Sequence, residues 1–266
     1  MNAGSWAGRS LGERTVAYDE RDAILYALAV GAQADELDLV FEERLRVLPT
    51  FALTLAQWAP DALGSLGAFD TTTAVHGAQR LEVSRPLPRA GELHLRSWVE
   101  AVWDKGGAAV FDVAVESEHF RATWSIFAPG CGGFGGERGP SAPRDDLTDQ
   151  SDSVELPVQT SPTQAATYRL LGDRHHMHID PEAARAAGQP RPFLHGLCTL
   201  AATVLGIARH TGADPTEVQS LACRFSAPVF PGERLAVRLV PGAALAFSAA
   251  VEDRTVLSGG RVSFGG

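Results

Sequence analysis

The same order of elements is written twice in this chain. In each half a stretch that is apolar on a helical repeat is followed by four segments that alternate apolar with polar residues. Three short similarities keep the copies in step. FALTLA from Phe51 to Ala56 lies over GLCTLA from Gly196 to Ala201. Tyr26 with Gly31-Ala32 lies over Tyr168 with Gly172-Asp173, one residue out of register, and PLPRAGEL from Pro86 to Leu93 echoes PVFPGERL from Pro228 to Leu235. A helix followed by a run of alternating strands is the pattern of an α+β unit, a long helix laid on an antiparallel sheet, and its repetition predicts two such units.

The spacing of apolar residues sets the expected elements. Glu20 to Gly31 reads as a helix, with Ala23, Ala27 and Val30 beside Ile24 and Leu28 after the cap Asp19. LPTFALTLAQWA, from Leu48 to Ala59, is apolar nearly all round and reads as one buried helix. RLEVSRPL, ELHLRSWVEAVW, AAVFDVAVES and HFRATWSIFA are strands separated by Pro86, Pro88, Gly91 and Gly106-Gly107. SLACRFSAPV, ERLAVRLV, ALAFSAAVE and TVLSGGRVSF are their counterparts in the second copy. Met1 to Arg14 is rich in Gly, Ser and Arg without periodicity and reads as a loose leader. From Pro129 to Pro162, Gly and Pro give way to acid and Ser, the composition of a linker that is mobile in part. The expected units are therefore 15–128 and 163–266, joined by 129–162.

Charge and cysteine usage remove several function classes. Lys plus Arg number 23 against 32 Asp plus Glu, a net charge of −9, which opposes broad binding to nucleic acid or anionic lipid. Cys131, Cys198 and Cys223 share no CxxC spacing, so neither a disulfide framework nor a zinc knuckle is expected. No apolar run has the length of a membrane helix, and the amino terminus lacks the order of a signal peptide, which leads to the expectation of a cytoplasmic protein.

Chemistry concentrates between Tyr168 and Thr199, YRLLGDRHHMHIDPEAARAAGQPRPFLHGLCT. Asp173 and His178 place an acid near an imidazole whose ordinary pKa lies close to neutrality. Gly196 opens a helix whose free amides can hold a ligand oxygen. The first copy has Ala32 opposite Asp173 and Phe51 opposite Gly196, so the second copy is expected to react and the first to shape the substrate site. Asp180 before Pro181 reads as a helix cap. A rival reading makes His175, His176 and His178 metal ligands with Asp173 and Asp180, as in a metal-dependent hydrolase. No GxSxG elbow is present, Cys198 belongs to an apolar helix face, and neither GxGxxG after a strand nor GxxxxGK[ST] occurs.

YRLLGDRHHMHIDPEAA resembles the (Y/F)RxSGDxNPxHxDPxxA signature of the MaoC-like, type-2 (R)-specific enoyl-CoA hydratases, and PFLHGLCTLA resembles their PILHGLCT segment. Similarity to the two-domain members runs from about Tyr18 to Phe264 and includes ERDAILYALAVGA, HGAQRLEVSRPLPRAGEL, DKGGAAVFDV and GGFGG. The resemblance implies a double hotdog, with Asp173 and His178 as the catalytic pair and Gly196 as the oxyanion-hole donor. It further implies an acyl-CoA substrate, a homodimer, and neither metal nor redox cofactor. The implied reaction is reversible hydration of a trans-2-enoyl-CoA to a (3R)-3-hydroxyacyl-CoA. Two departures stand out: His175-His176 replaces the motif's Asn-Pro, and Leu171 replaces its Ser. His175 is then expected to position the water or the catalytic imidazole, with a catalytically weak acyl-thioester binding protein as the alternative. The acyl pocket is expected to depend on Trp58, Phe69, Trp98 or Trp103, and Arg174 and Arg191 to be solvated residues flanking the site.

Overall fold

The computed structural model describes residues 2–140 and 153–265. The first half runs β1 (Ser10–Tyr18), α1 (Glu20–Ala29), α2 (Leu37–Val40), α3 (Phe51–Leu55), α4 (Trp58–Ser65), β2 (Val75–Val83), β3 (Gly91–Asp104), β4 (Ala108–Glu116) and β5 (Phe120–Pro129). The second runs β6 (Val154–Gln159), α5 (Gln164–Tyr168), α6 (Pro181–Ala186), α7 (Gly196–Thr211), β7 (Val218–Phe225), β8 (Arg234–Val240), β9 (Leu245–Val251) and β10 (Arg254–Phe264). Every neighbouring pair of strands is antiparallel. They form one sheet in the order β1-β3-β4-β5-β2-β7-β10-β9-β8-β6. Read inward from either edge the connectivity is the same, strands one, three, four, five and two of each copy. The duplication seen in the sequence is thus a duplication of topology.

The halves meet where β2 pairs with β7, Leu81 facing Leu221, both buried. Alternation sets the strand faces: Leu93, Leu95, Ser97 and Val99 of β3 point inward while Glu92, His94 and Arg96 stay in water. α7 lies under the sheet with Leu200, Cys198, Ile207 and Ala208 fully buried. At Gly206 it approaches β6 so closely that an added Cβ would lie 2.5 Å from Val158. Asp19 caps α1 through a capping box with Asp22, and Asp180 caps α6 by accepting the Glu182 amide at 2.8 Å, both as read from the sequence. Among the described residues no helix is long and apolar enough to cross a membrane.

Three expectations are corrected. Leu48 to Ala59 is not one helix, since α3 ends at Leu55 and α4 begins at Trp58. Pro60 has no N–H to give Ala56, whose carbonyl takes the Ala59 amide at 3.2 Å instead, and the helix breaks there. The supposed leader is structured: Ala3–Trp6 forms a 3-10 turn with Ala3 and Trp6 buried, and β1 starts at Ser10. β1 is an edge strand with mostly exposed side chains, so no apolar alternation marked it. The supposed linker contributes β6, paired with β8, and a packed turn after β5. In that turn the Asp104 carboxylate accepts amides of Gly106, Gly133 and Gly135 at 2.8–2.9 Å. The part of the linker from 141 to 152 lies outside the described residues.

Candidate active site

Between α5 and α7 the second half sends out a long connection, and Gly172 turns it inward at φ +137°, a conformation that suits glycine. Asp173 follows, its side chain 14% exposed. One carboxylate oxygen, Oδ1, receives both the backbone N–H of His175 at 3.2 Å and His175 Nδ1 at 2.6 Å. The backbone carbonyl of Asp173 accepts His195 Nε2 at 3.1 Å. Asp173 is therefore fixed at both its side chain and its backbone.

His178 is buried in a 3-10 turn and gives its Nδ1–H to the Phe193 carbonyl at 2.9 Å. That bond assigns the tautomer, so Nε2 carries the lone pair in the neutral ring. Its ring stacks on His195 at 3.8 Å between centroids, and Tyr168 packs on His195 at 4.8 Å. Tyr168 in turn shares a hydrogen bond of 2.9 Å with Thr54 of α3, which anchors this assembly to the first half. His195 Nδ1 is buried without a hydrogen-bond partner among the described residues.

Gly196 begins α7 directly after His195, and no side chain caps this helix start. The first i to i+4 bond is from Thr199 to His195, which leaves the amides of the first turn open to an incoming oxygen. A Cβ at Gly196 would meet the Phe225 ring at 3.1 Å, so the residue also sets how closely α7 approaches β7. His76 of β2 packs against the same Phe225 at 4.7 Å and closes this side of the site.

Burial and charge sort the protonation states. Burial would raise the Asp173 pKa, but the His175 hydrogen bond and the surrounding imidazoles hold it far below the usual carboxylate range. Burial lowers His178, opposed by its bond to Phe193, and lowers His195 to about 3. The Asp173 hydrogen bond raises His175 to about 9, against burial. At neutral pH the site holds an ionised carboxylate, two neutral rings and one imidazolium.

Donor atoms of Asp173, His178 and His195 lie within 4.8 Å of one another, so one water can reach all three. A metal fits less well. Two imidazoles on one tetrahedral ion, with bonds of about 2.0–2.1 Å, keep their centres roughly 5 Å apart; these rings are 3.8 Å apart. The histidine set of the rival metal reading does not gather either: His176 is exposed, His175 turns to Asp173 and His178 to Phe193.

Asp173, His175 and His178 thus come together beside the helix start at Gly196, as the sequence pattern suggested. His195, Tyr168, Thr54 and His76 were not singled out as site residues. His195 stood in view beside Gly196, whereas Thr54 and His76 reach the site from the other half. Of the four aromatic residues expected to form the pocket, Trp58 lines a cleft of 390 Å³ with Tyr18, Phe51, Leu55, Leu171 and Gly172. Phe69 packs on Phe111, Trp98 lies between Arg96 and Arg121, and Trp103 donates to Asp112. Arg191 stacks on Phe230 at 4.8 Å, and Arg174 is exposed.

Residues 16–129 match the MFE-2 hydratase 2 N-terminal domain and residues 146–254 the MaoC like domain. The peroxisomal enoyl-CoA hydratase 2 of Arabidopsis thaliana is 33% identical across 97% of this chain and 94% of its own. The 3-hydroxyacyl-thioester dehydratase Y of Mycobacterium tuberculosis is 36% identical across 93% of each. The crystal structure of a MaoC-like dehydratase from Phytophthora capsici superposes with a TM-score of 0.86 at 26% identity, over 100% of this chain and 98% of that one. Fold and comparisons together define a hydro-lyase on a double hotdog. The chain belongs to the MaoC-like dehydratase and hydratase 2 family.

Proposed function

We propose that the protein hydrates trans-2-enoyl-CoA thioesters to (3R)-3-hydroxyacyl-CoA and runs the reverse dehydration at the same site. The observation that carries this reading is that donor atoms of Asp173, His178 and His195 lie within 4.8 Å of one another, next to the uncapped start of α7. The thioester oxygen takes the Gly196 amide, which draws electrons from the double bond and leaves the third acyl carbon open to attack. His178 Nε2 accepts a proton from the water while the hydroxyl adds to that carbon. Asp173, already ionised, holds the water's other hydrogen and stabilises the imidazolium as it forms. Having no proton of its own, Asp173 leaves the one just taken by His178 to be delivered to the second carbon. One water is consumed, and the site returns to its starting charge.

The 390 Å³ cleft supports a path for the acyl chain, because its wall reaches Gly172, the neighbour of Asp173. Loss of the conjugated-thioester absorbance of crotonyl-CoA and of a longer trans-2-enoyl-CoA tests the proposal, together with the configuration of the product. Turnover to a (3R)-hydroxy product, reduced about 10²–10⁴-fold in Asp173→Asn and His178→Ala, is expected. No turnover of either thioester by folded protein would overturn it in favour of thioester binding.

A further inference from the structure

We infer that His175 is a positioning residue that holds the Asp173 carboxylate in its reactive orientation, and that Asp61 of the first half steadies His175 from across the seam. The inference rests on the hydration reading above.

Geometry comes first. His175 places two donors, its backbone N–H and its ring Nδ1–H, on the single oxygen Oδ1 of Asp173. Both donors act on one oxygen, which fixes the rotation of the carboxylate. The ring of His175 is 51% exposed while its partner is 14% exposed, so the imidazole bridges from the surface to a largely covered carboxylate. Asp61 of α4 and Gly172 line the same cleft, which brings a second carboxylate to the connection that carries His175.

The groups facing His175 come from every element packed around it. Asp173 precedes it in the same connection, His178 lies on the following turn, and His195 stands at the start of α7. Asp61 comes from α4; burial raises its pKa, against the charges of His175 and of Arg14 of β1, whose guanidinium lies over Trp58 at 4.7 Å. The Asp173 charge reaches His76 of β2. Two carboxylates against neutral imidazoles favour a charged His175, in line with its upward shift to about 9 by the Asp173 hydrogen bond. An asparagine in this place would supply the hydrogen bond without the charge. The histidine therefore adds a cation beside a reaction that builds negative charge on the thioester oxygen, and ties that cation to a residue of the half that lacks the catalytic motif.

Two measurements test this on the full chain. Steady-state rates from pH 5 to 10 should show that His175→Ala lowers kcat about 10–100-fold, the scale of one charge-assisted hydrogen bond, with KM little changed. His175→Asn should recover most of that loss and remove the alkaline limb of the wild-type profile, while Asp61→Asn should move the limb to lower pH. Histidine-ring proton–nitrogen spectra, assigned by the signal that vanishes in His175→Asn, should place the His175 titration above pH 8 and bring it nearer 6.5 in Asp173→Asn.

A wild-type kcat and pH profile in His175→Ala, or a His175 signal titrating at or below 6.5, would overturn the inference. The spectra need no turnover, so the two readings fail separately. A high titration without enoyl-CoA hydration would remove the hydratase reading and leave the pairing, whereas normal hydration with a low titration would do the reverse.

Discussion

The hydrogen bond between Thr54 and Tyr168 can be weighed on its own, because it is a buried side-chain link across the seam between the halves. The hydroxyls are 2.9 Å apart, with Thr54 7% and Tyr168 1% exposed. Thr54→Val keeps the shape but strands the tyrosine hydroxyl away from water, a cost of about 1–3 kcal/mol. At about 2–4 °C per kcal/mol for a chain of this size, Tm should fall by roughly 2–12 °C. Tyr168→Phe should cost less, about 1 kcal/mol, because the threonine hydroxyl can turn to the preceding turn of its own helix. The double variant leaves no orphan, and its loss should fall short of the summed single losses by about 1 kcal/mol. Melting followed by circular dichroism at pH 7 on the four proteins closes the cycle. Strict additivity, or an unchanged Tm in Thr54→Val, would refute the claim that this bond holds the halves together. Turnover offers an internal check: Tyr168→Phe retains the ring that packs on His195 at 4.8 Å, so activity should survive a loss of stability.

Other consequences can be checked one at a time. Gly196→Ala brings a methyl to 3.1 Å from the Phe225 ring and should displace the first-turn amides; kcat is expected to fall about 10–100-fold, and Phe225→Leu in the same chain should restore part of it. His178 acts as a base only when neutral and burial lowers its pKa, so kcat/KM should be full above its titration and fall on acidification with a midpoint below about 6.5; a midpoint above that value contradicts the assigned role. Backbone amides of Gly133 and Gly106 lower Asp104 to about 2. Its stabilisation is therefore present above the ordinary carboxylate pKa and lost as pH falls through about 2, and Asp104→Asn should lower Tm at pH 7 and flatten its decline in acid.

Elements whose faces differ were the ones visible in sequence. Alternation of residue type marked β2 to β5 and β7 to β10, of which β4 is buried on both faces and the others keep one face more exposed. The two sheet edges gave no such signal. β1 exposes most of both faces and was read as a leader, while β6 stands beside an acidic, Ser-rich stretch that looked like linker throughout. The break between α3 and α4 was hidden because a stretch apolar on all sides looks the same as one helix or two, and Pro60 fell just past the end of that window.

The grouping of the candidate site residues was legible for a related reason. Asp173, His175 and His178 stand within one short connection and Gly196 opens the next long helix, so local order alone groups them. What the sequence hid is how much the first half contributes. Tyr26 packs on Phe51 at 4.8 Å, and its counterpart Tyr168 packs on His195 at 4.8 Å, so in each copy the tyrosine holds a ring at the start of a later helix, though at positions one residue apart. With Phe51 filling the place where the second copy opens its helix, the first copy has a packed core in that position. Its helix, broken before Pro60, supplies Thr54 to Tyr168 and carries Asp61 and Trp58 to the cleft beside Gly172. In the proposed reading, the half without the candidate reacting groups serves as the other wall of the site. Substitutions there should alter substrate choice and the pH response, whereas substitutions at Asp173 or His178 should lower turnover of every substrate alike.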